Sequence, residues 1–274
     1  MVLRSGGMEH PHNGRPWAVV TGASGGIGLD LAVTLAKAQH NLFLVARSGD
    51  KLQKLADDLT AHHGVATQVC VADLTDPGAP AQIVAALGEA DIAPDVLVNN
   101  AGVGAYGRFL DAPLAETLAM IQLNITALTA LTALVVPGMV QRGHGRVLQV
   151  ASTAAFQPGP LLAVYYASKA YVLSFSEALG NELKDTGVTV TTLCPGPTRT
   201  DFQARAGLTG VRLLRGPLMM SSEEVAREGV AGMFQGKSVV IPGVVNKITA
   251  ATPRVLPRRW MTALARFAQE RDGG

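Results

Sequence analysis

The sequence has little charge for its length. Of 274 residues, 16% are charged and 48% are hydrophobic, and the formal net charge is only +2. This balance, with no basic block and no basic patch rich in aromatic residues, argues against nucleic acid as a partner. A large apolar fraction under a sparsely charged surface is typical of a sheet covered by helices on both faces. The length suits one large α/β domain.

Cysteine is also scarce. The two cysteines, Cys70 and Cys194, each end an apolar β-like run. This placement favours small buried hydrophobic side chains over a disulfide or a nucleophile. Without clustered histidines, two cysteines do not make a zinc site, and we expect no metal. The same scarcity favours a reducing compartment, and we expect a cytoplasmic protein.

Long hydrophobic runs are missing as well. The most hydrophobic segment, Leu123–Val140, contains Asn124, Pro137 and several threonines, and it falls short of about 20 clean apolar residues. We therefore expect a buried or interface helix there and no transmembrane segment. Residues 1–14 are polar and lack an apolar core of signal-peptide length, which predicts a disordered extension with Met8 as an alternative start to Met1.

Short β-branched runs alternate with longer helical stretches, the pattern of a parallel sheet with helical crossovers. The predicted strands are Trp17–Thr21, Asn41–Ala46, Ala66–Val71, Val96–Asn99, Arg146–Ser152, Val188–Cys194 and Ser238–Ile241. The predicted helices include Gly26–Ala38, Asp50–His62, Ala79–Leu87, Pro113–Val136, Val164–Lys184 and Glu223–Phe234, the last with a capping box formed by Ser221 and Glu224. Seven strands in this arrangement predict a single doubly wound α/β domain over residues 15–274.

Two segments interrupt this alternation. Pro195–Ser221 is a long stretch between a strand and a helix, which predicts a lid or substrate-binding loop, and its arginines include Arg215. The C-terminal tail, residues 244–274, is apolar and basic. We expect the tail to pack within the protein; packing on a partner subunit and peripheral contact with a membrane are the alternatives.

A glycine-rich turn follows the first predicted strand and opens the first helix. Its sequence is Thr21-Gly22-Ala23-Ser24-Gly25-Gly26-Ile27-Gly28. Glycines let backbone amides approach a pyrophosphate, and a helix N-terminus offers N–H groups and the positive end of its dipole. The turn therefore predicts a dinucleotide phosphate site, although a plain tight turn has the same composition.

The residues after the next strands indicate which dinucleotide binds. The second strand ends Val45-Ala46-Arg47, where a carboxylate would hold an adenosine ribose 2′-hydroxyl and a guanidinium suits a 2′-phosphate. Arg47 thus favours NADP over NAD. Asp73 fits the adenine edge, although a helix-capping aspartate would look the same. Asn100, Ala101 and Gly102 follow the fourth strand, where small residues let the backbone lie against the cofactor.

Tyr165 and Lys169 are four residues apart, so they share one face of a predicted helix. A phenol beside an ammonium is a tuned proton donor and acceptor, because the positive charge favours the phenolate. Chance alone would produce such a spacing in about one sequence of this composition in ten. The adjacent Tyr166 has no lysine four residues on, which predicts packing or pocket lining for it.

Together these motifs resemble the short-chain dehydrogenase/reductase family over residues 15–243. The matching positions keep the family's order and spacing; they are Thr21–Gly28, Asp73, Asn99–Gly102, Asn124, Ser152, Tyr165 with Lys169, and Pro195-Gly196 followed by Thr200. The run Cys194–Phe202 and the tail further resemble the branch of DltE-like oxidoreductases.

The resemblance implies a Rossmann-type fold and specific residue roles. Tyr165 would be the general acid or base, Lys169 would hold the nicotinamide ribose and lower the tyrosine pKa, and Ser152 would bind the substrate oxygen. Asn124 would locally open its helix and hold a water in a proton relay. Gly22, Ser24, Gly26, Ile27, Gly28, Arg47, Asp73, Asn100, Ala101, Gly102, Tyr165, Lys169, Pro195, Gly196, Thr198 and Thr200 would contact NADP.

We therefore predict an NADPH-dependent carbonyl reductase for a small hydrophobic substrate, with 3-oxoacyl and steroid-like compounds included. The pocket is expected from the apolar stretches Val103–Leu110 and Phe156–Val164, with Phe156 against the substrate, and from Pro195–Ser221. An oxidative alcohol or hydroxysteroid dehydrogenase and a non-catalytic NADP(H)-binding regulatory protein are the alternatives. A sugar-nucleotide epimerase or dehydratase would need a longer C-terminal domain. Apolar helices around Leu123–Val136 and Val164–Leu183 predict a homodimer or homotetramer.

Overall fold

A seven-stranded parallel sheet organises the structure, a computed structural model that describes residues 14–212, 219–254 and 256–271. The predicted N-terminal extension lies outside these residues except for Gly14. The strands are β1 (Trp17–Thr21), β2 (Asn41–Ala46), β3 (Thr67–Val71), β4 (Pro94–Asn99), β5 (Gly145–Val150), β6 (Val188–Leu193), β7 (Thr198–Arg199), β8 (Met220–Ser221) and β9 (Val239–Val240). The large sheet has the order β3-β2-β1-β4-β5-β6-β9.

Ten α-helices are present in the described residues, and most of them cross between strands. They are α1 (Gly26–Lys37), α2 (Gly49–His63), α3 (Ala79–Glu89), α4 (Leu114–Ile121), α5 (Leu128–Arg142), α6 (Ala163–Glu182), α7 (Phe202–Arg205), α8 (Ser222–Phe234), α9 (Val244–Ala251) and α10 (Arg258–Gln269). The strand order reverses direction between β1 and β4, so a cleft opens at the carboxyl ends of these strands. The predicted doubly wound fold is confirmed.

Side chains of successive strand residues enter two separate cores. Val20 packs with α1 and α8 on one face of the sheet, and Val19 packs with α3 and α5 on the other. Because both faces are covered, the strands are continuous apolar runs rather than alternating ones. Cys194 is fully buried, Cys70 is partly buried, and both are free thiols. Burial raises the pKa of Cys194 to about 12, which leaves little thiolate at neutral pH.

The predicted helix Pro113–Val136 is longer and less regular than the sequence indicated. A π-helical turn, Gln122–Ala127, joins α4 to α5, and α5 continues past Pro137 to Arg142. The early end expected at Pro137 was wrong, because Val136 and Met139 are buried against the sheet and their packing outweighs one lost backbone hydrogen bond. The π turn contains Asn124, where the sequence predicted a local opening.

This long helical stretch, Leu114–Arg142, is the part of the described chain that could cross a membrane by length and composition. An 18-residue window within it has a mean hydropathy of 1.8, and 44% of that window is buried inside the protein. Its buried side chains Leu131, Val135 and Met139 pack on the sheet, as helices of a doubly wound core do.

The segment Pro195–Ser221 is more structured than the predicted loop. Its ends form the parallel pair β7 and β8, with Thr198 opposite Met220, and α7 lies between them. Arg215 lies outside the described residues. The capping box is confirmed: Ser221 Oγ accepts a hydrogen bond from the Glu224 N–H at 3.2 Å, and the Glu224 carboxylate accepts one from the Ser221 N–H at 3.2 Å.

Candidate active site

The glycine turn forms one end of the cleft. Gly22 and Gly26 have positive φ angles of 68° and 56°, which glycine adopts without strain. A side chain at Gly28 would come within 2.2 Å of the Gly22 carbonyl oxygen, so only glycine fits there. Helix α1 begins with no side-chain cap at Gly25, and its first N–H groups are therefore donors without helical partners beside the cleft. Such a cradle fits a phosphate group.

Hydrogen bonds fix this turn to the end of β4. Thr21 Oγ1 donates to the Val98 carbonyl at 3.2 Å and accepts from the N–H groups of Asn100 and Ala101 at 3.0 and 3.1 Å. Asn100 Nδ2 in turn donates to the Thr21 carbonyl at 2.9 Å. Asn100, Ala101 and Gly102 all line the cleft. The two loops that would hold the dinucleotide are therefore coupled directly.

Two cations and a carboxylate lie at the end of β2 and β3. Arg47 Nη1 is 3.7 Å from Asp73 Oδ2, and both side chains are largely exposed. Hydrogen bonds from Thr75 and the charge of Arg47 hold the pKa of Asp73 below its usual value. Lys51 also lines the cleft. Lys51 was not predicted, although its place four residues after Arg47 in the first turn of α2 was a usable signal.

Lys169 and Tyr165 lie side by side on α6 at the other end of the cleft. Lys169 Nζ donates a hydrogen bond to the Val150 carbonyl at 2.8 Å and lies 5.9 Å from the centroid of the Tyr165 ring. Burial lowers the pKa of Lys169 to about 8. The ammonium therefore remains mostly protonated at neutral pH, close to the phenol.

The pKa of Tyr165 moves in the opposite direction to the one predicted. Burial raises it to about 12, and hydrogen bonding to Ser152 lowers it by a smaller amount. Removal from water dominates this shift, and the Lys169 ammonium, which is directed at the Val150 carbonyl, is not among its causes. The lowering that Lys169 and an oxidised nicotinamide would cause together stays a prediction. The phenol is therefore protonated at neutral pH and has a proton to donate.

Ser152 stands between Tyr165 and the loop that follows β6. Its Oγ donates to the Pro195 carbonyl at 3.4 Å and accepts from the Ala154 N–H at 3.1 Å. Pro195, Gly196, Thr198 and Thr200 line the cleft beside it. Thr200 side-chain carbons lie 3.2 to 3.3 Å from the position that a Cβ on Gly26 would take. This loop therefore reaches back to the glycine turn.

Asn124 is placed behind the cleft rather than in its lining. The residue is 1% exposed. Its Oδ1 accepts from the Val103 N–H at 3.0 Å, and its Nδ2 donates to the Val103 carbonyl at 2.9 Å and to Ser168 Oγ at 3.0 Å. A Cβ on Gly102 would lie 3.3 Å from both Asn124 Oδ1 and Lys169 Nζ. Asn124 thus holds the cleft backbone next to Lys169; its role in a proton relay remains a prediction.

The substrate end of the cleft is apolar. Its cluster contains Ala154, Leu162, Tyr166, Ala206, Leu208 and Val211, with Tyr106, Tyr165 and Phe202 packed against them. The ring centroids of Tyr165 and Phe202 are 5.5 Å apart. The tail adds Gln269 from α10, a contribution that no local sequence signal revealed.

The prediction that Phe156 contacts the substrate is not supported by its position. Phe156 is not among the residues that line the cleft. Its side chain packs instead in a separate cluster with Leu128, Val172 and Cys194. Residues 153–156 form a 3-10 turn, and this turn directs the Phe156 ring into that cluster while Leu162, six residues later, reaches the cleft.

The buried positive charge of Lys169 should lower the free energy of unfolding at neutral pH. We expect Lys169→Met to increase the free energy of unfolding by up to about 3 kcal/mol at pH 7, because each unit of pKa lowering corresponds to about 1.4 kcal/mol. Between the folded pKa of about 8 and the ordinary lysine pKa of 10.5, the unfolded chain binds a proton that the native state has released, so wild-type stability rises with pH. Urea denaturation at several pH values measures both effects. Equal stability of variant and wild type at pH 7, or a constant difference up to pH 10.5, would contradict this account.

The sequence matches a protein-family model and several curated proteins. The family model for short-chain dehydrogenases matches residues 16–209. A very-long-chain 3-oxoacyl-CoA reductase of Laccaria bicolor is 40% identical over 180 residues, which are 64% of this chain and 52% of the relative. The chain thus spans about half the length of the curated relatives it matches.

Two solved structures cover nearly the whole chain. A short-chain dehydrogenase from Sphingobium yanoikuyae in complex with NADPH is 34% identical, with a TM-score of 0.78 over 94% of this chain and 99% of that one. A bulky-bulky ketone specific alcohol dehydrogenase from Comamonas testosteroni is 29% identical, with a TM-score of 0.74 over 89% and 95% of the two chains. With the sheet order, the glycine turn and the Ser152, Tyr165 and Lys169 cluster, these matches establish that the chain belongs to the short-chain dehydrogenase family.

Proposed function

We propose that the protein is an NADPH-dependent oxidoreductase of the cytoplasm that reduces the carbonyl group of a hydrophobic substrate, with 3-oxoacyl thioesters as the favoured class. The observation that carries this proposal is one continuous cleft with a phosphate cradle at one end and Ser152, Tyr165 and Lys169 at the other. The names of the NADPH-bound Sphingobium dehydrogenase and of the Laccaria 3-oxoacyl-CoA reductase support it.

Each group of residues along the cleft has its own role in the proposed reaction. The turn Gly22–Gly28 would hold the pyrophosphate, Arg47 and Lys51 the 2′-phosphate, and Lys169 the nicotinamide ribose. Bound NADPH supplies the hydride. Tyr165, protonated at neutral pH, donates the proton to the substrate oxygen, and Ser152 donates a hydrogen bond to that oxygen as negative charge develops on it. The apolar cluster around Leu162 and Leu208 excludes water from the reacting carbonyl.

A substrate panel tests this function directly. Purified protein is mixed with NADPH or NADH and with ketones, 3-oxoacyl thioesters and steroid ketones, and nicotinamide absorbance reports turnover. The reverse reactions use NADP⁺ and the corresponding alcohols. We expect NADPH-dependent reduction of apolar 3-oxoacyl substrates. Faster oxidation than reduction at neutral pH would favour an alcohol dehydrogenase, and NADPH binding without any turnover would favour a regulatory protein.

We infer a homo-oligomer from the outer surface of α4, α5 and α6. Leu114, Leu118 and Leu134 are largely exposed there, and Tyr171 is exposed on α6. Exposed apolar side chains thus recur along the helical stretch Leu114–Arg142, and Tyr171 joins them beside α5 through its hydrogen bond with Thr129. A surface of this kind is one that a second copy of the chain can cover. Light scattering after size exclusion measures the mass, and a monomer at all concentrations would contradict the inference.

The tail packs on the protein through one face of α10 and leaves the opposite face exposed. Met261, Ala265 and Gln269 are buried, whereas Trp260, Leu264 and Phe267 are exposed. The latter three are four and three residues apart, so they form one stripe on the helix. Residues 244–274 contain six basic and two acidic residues. An apolar stripe on a basic helix fits peripheral contact with an anionic membrane, and we propose that contact for α10.

Vesicle binding tests the membrane contact. We expect the protein to float with anionic phosphatidylglycerol vesicles. The double variant Trp260→Ser with Leu264→Ser should bind these vesicles at least about tenfold more weakly, because each substitution removes some 1.5 to 3 kcal/mol of apolar burial in the membrane. The chain has two tryptophans, and Trp17 is 3% exposed while Trp260 is 58% exposed, so a blue shift of emission on binding reports Trp260. Leu110→Ser, at a residue that is 82% exposed outside the tail, is the matched control. Equal flotation of all variants would overturn the proposal.

A further inference from the structure

One amide group lies unexplained in the apolar end of the cleft. Gln269 is 1% exposed and lines the cleft among the side chains around Leu162 and Leu208. Its Oε1 has no hydrogen-bond partner among the described residues. Burying an unpaired amide oxygen in apolar surroundings is costly. Such an atom in a substrate cleft indicates that a ligand supplies the missing partner.

The amide is held firmly in its place. Gln269 Nε2 donates a hydrogen bond to Tyr166 Oη, and the Gln269 backbone carbonyl accepts one from Tyr106 Oη at 2.8 Å. The ring of Tyr166 rests on Gly159, where a Cβ would come within 2.3 Å of the ring carbon. Two side chains and a close backbone contact therefore fix the positions of the amide and the Tyr166 hydroxyl.

The hydrogen-bonding capacity of this pair defines the ligand. A tyrosine hydroxyl can donate once and accept, and an amide carries an acceptor oxygen and a donor nitrogen. The amide oxygen and nitrogen can exchange places by half a rotation without moving the rest of the side chain. Tyr166 Oη then donates to Oε1, and Nε2 becomes the unpaired group, which is a donor. A carbonyl oxygen bound to Nε2 then satisfies both ends of the amide, whereas one end has no partner among the described residues as they are placed.

We propose that Gln269 and Tyr166 form a polar subsite that binds a second carbonyl oxygen of the substrate, close to the carbonyl that is reduced. Tyr166 follows Tyr165 on α6, and the centroids of their rings are 6.1 Å apart, so the subsite lies on the helical turn that carries the proton donor. The matching chemical class is a β-dicarbonyl compound, in which one methylene separates the ketone from an ester or thioester carbonyl. The subsite rests on the proposed reductase function and selects such substrates over simple ketones.

A pair of isosteric substrates isolates the contribution of the second carbonyl. Methyl 3-oxodecanoate and dodecan-5-one have the same chain length and ketone position and differ in the ester group. For Gln269→Leu and for Tyr166→Phe, we expect the ratio of kcat/KM for the ester to kcat/KM for the ketone to fall about tenfold relative to wild type, the loss typical of one hydrogen bond. Arg266→Gln, at an exposed position of the same helix, should leave the ratio unchanged.

Calorimetric titration of the two compounds into NADP⁺-loaded protein gives the corresponding ratio of Kd values without turnover. If wild type reduces neither compound, the reductase function fails, and this binding ratio alone decides the subsite. If both variants keep the wild-type ratio, the proposed subsite is wrong. This includes the case in which the variants bind both compounds equally more weakly, as a general packing defect would cause. Because Tyr166→Phe preserves the ring that packs on Gly159, it keeps the test valid if Gln269→Leu does not fold.

Discussion

Tyr165→Phe is expected to lower kcat for ketone reduction by about a thousandfold, within the range measured when a general acid is removed. The phenol of Tyr165 is the group with a transferable proton that hydrogen-bonds Ser152 at the substrate end of the cleft. Phenylalanine keeps the ring against Phe202 and removes only the hydroxyl. NADPH affinity, measured by nicotinamide fluorescence, should therefore stay within about twofold of wild type.

A second tyrosine on the same helix provides the control. Tyr171 is exposed on α6 and shares a hydrogen bond with Thr129 at 2.9 Å, so Tyr171→Phe removes a hydroxyl without reaching the cleft. Its kcat should equal that of wild type. A Tyr165→Phe variant that retained full turnover would refute the assigned chemistry, and equal losses in both variants would indicate a general disturbance of α6.

Arg47→Glu is expected to raise the KM for NADPH about a hundredfold and to leave the KM for NADH nearly unchanged. Charge-assisted hydrogen bonds are worth about 1.5 to 3 kcal/mol, and a glutamate adds repulsion toward a 2′-phosphate. NADH has no phosphate there. The substitution also places a second carboxylate beside Asp73, at the site where Arg47 now lies 3.7 Å away, which increases the repulsion.

The matched control for this charge reversal is Lys54→Glu. Lys54 lies on the exposed side of α2 and does not line the cleft, unlike Lys51. Its reversal should change both KM values much less than Arg47→Glu does at moderate ionic strength, because the exposed side chain does not line the cleft and salt screens exposed charges. A wild-type protein that binds NADH more tightly than NADPH would contradict the assignment of Arg47.

The elements predicted well are those specified by neighbouring residues. The turn Gly22–Gly28 connects an apolar strand to a helix within one short stretch, so spacing and residue type were sufficient. Tyr165 and Lys169 are one helical turn apart, and any helix over them places both on one face. Asn124 stands out as an amide inside an apolar helix, and the π turn lies there.

The failures concern properties that depend on distant parts of the chain. The pKa of Tyr165 is decided by burial, and the residues around it come from several separate segments. The direction of Phe156 depends on a 3-10 turn that an apolar run does not reveal. Gln269 meets Tyr166 across 103 residues, and only the folded tail brings them together. Sequence spacing carries no information on such contacts.

The order in which the cleft is completed follows from the place of Gln269 in the chain. The residues that would hold a dinucleotide all lie at or before Thr200 in the sequence. Gln269, which lines the substrate end of the cleft, belongs to α10 near the end of the described chain. At a synthesis rate of about 5 to 20 residues per second, the ribosome needs roughly 4 to 14 s more to reach Gln269. A nascent chain therefore contains every residue that would hold the nucleotide before it contains Gln269, which lines the substrate end of the cleft.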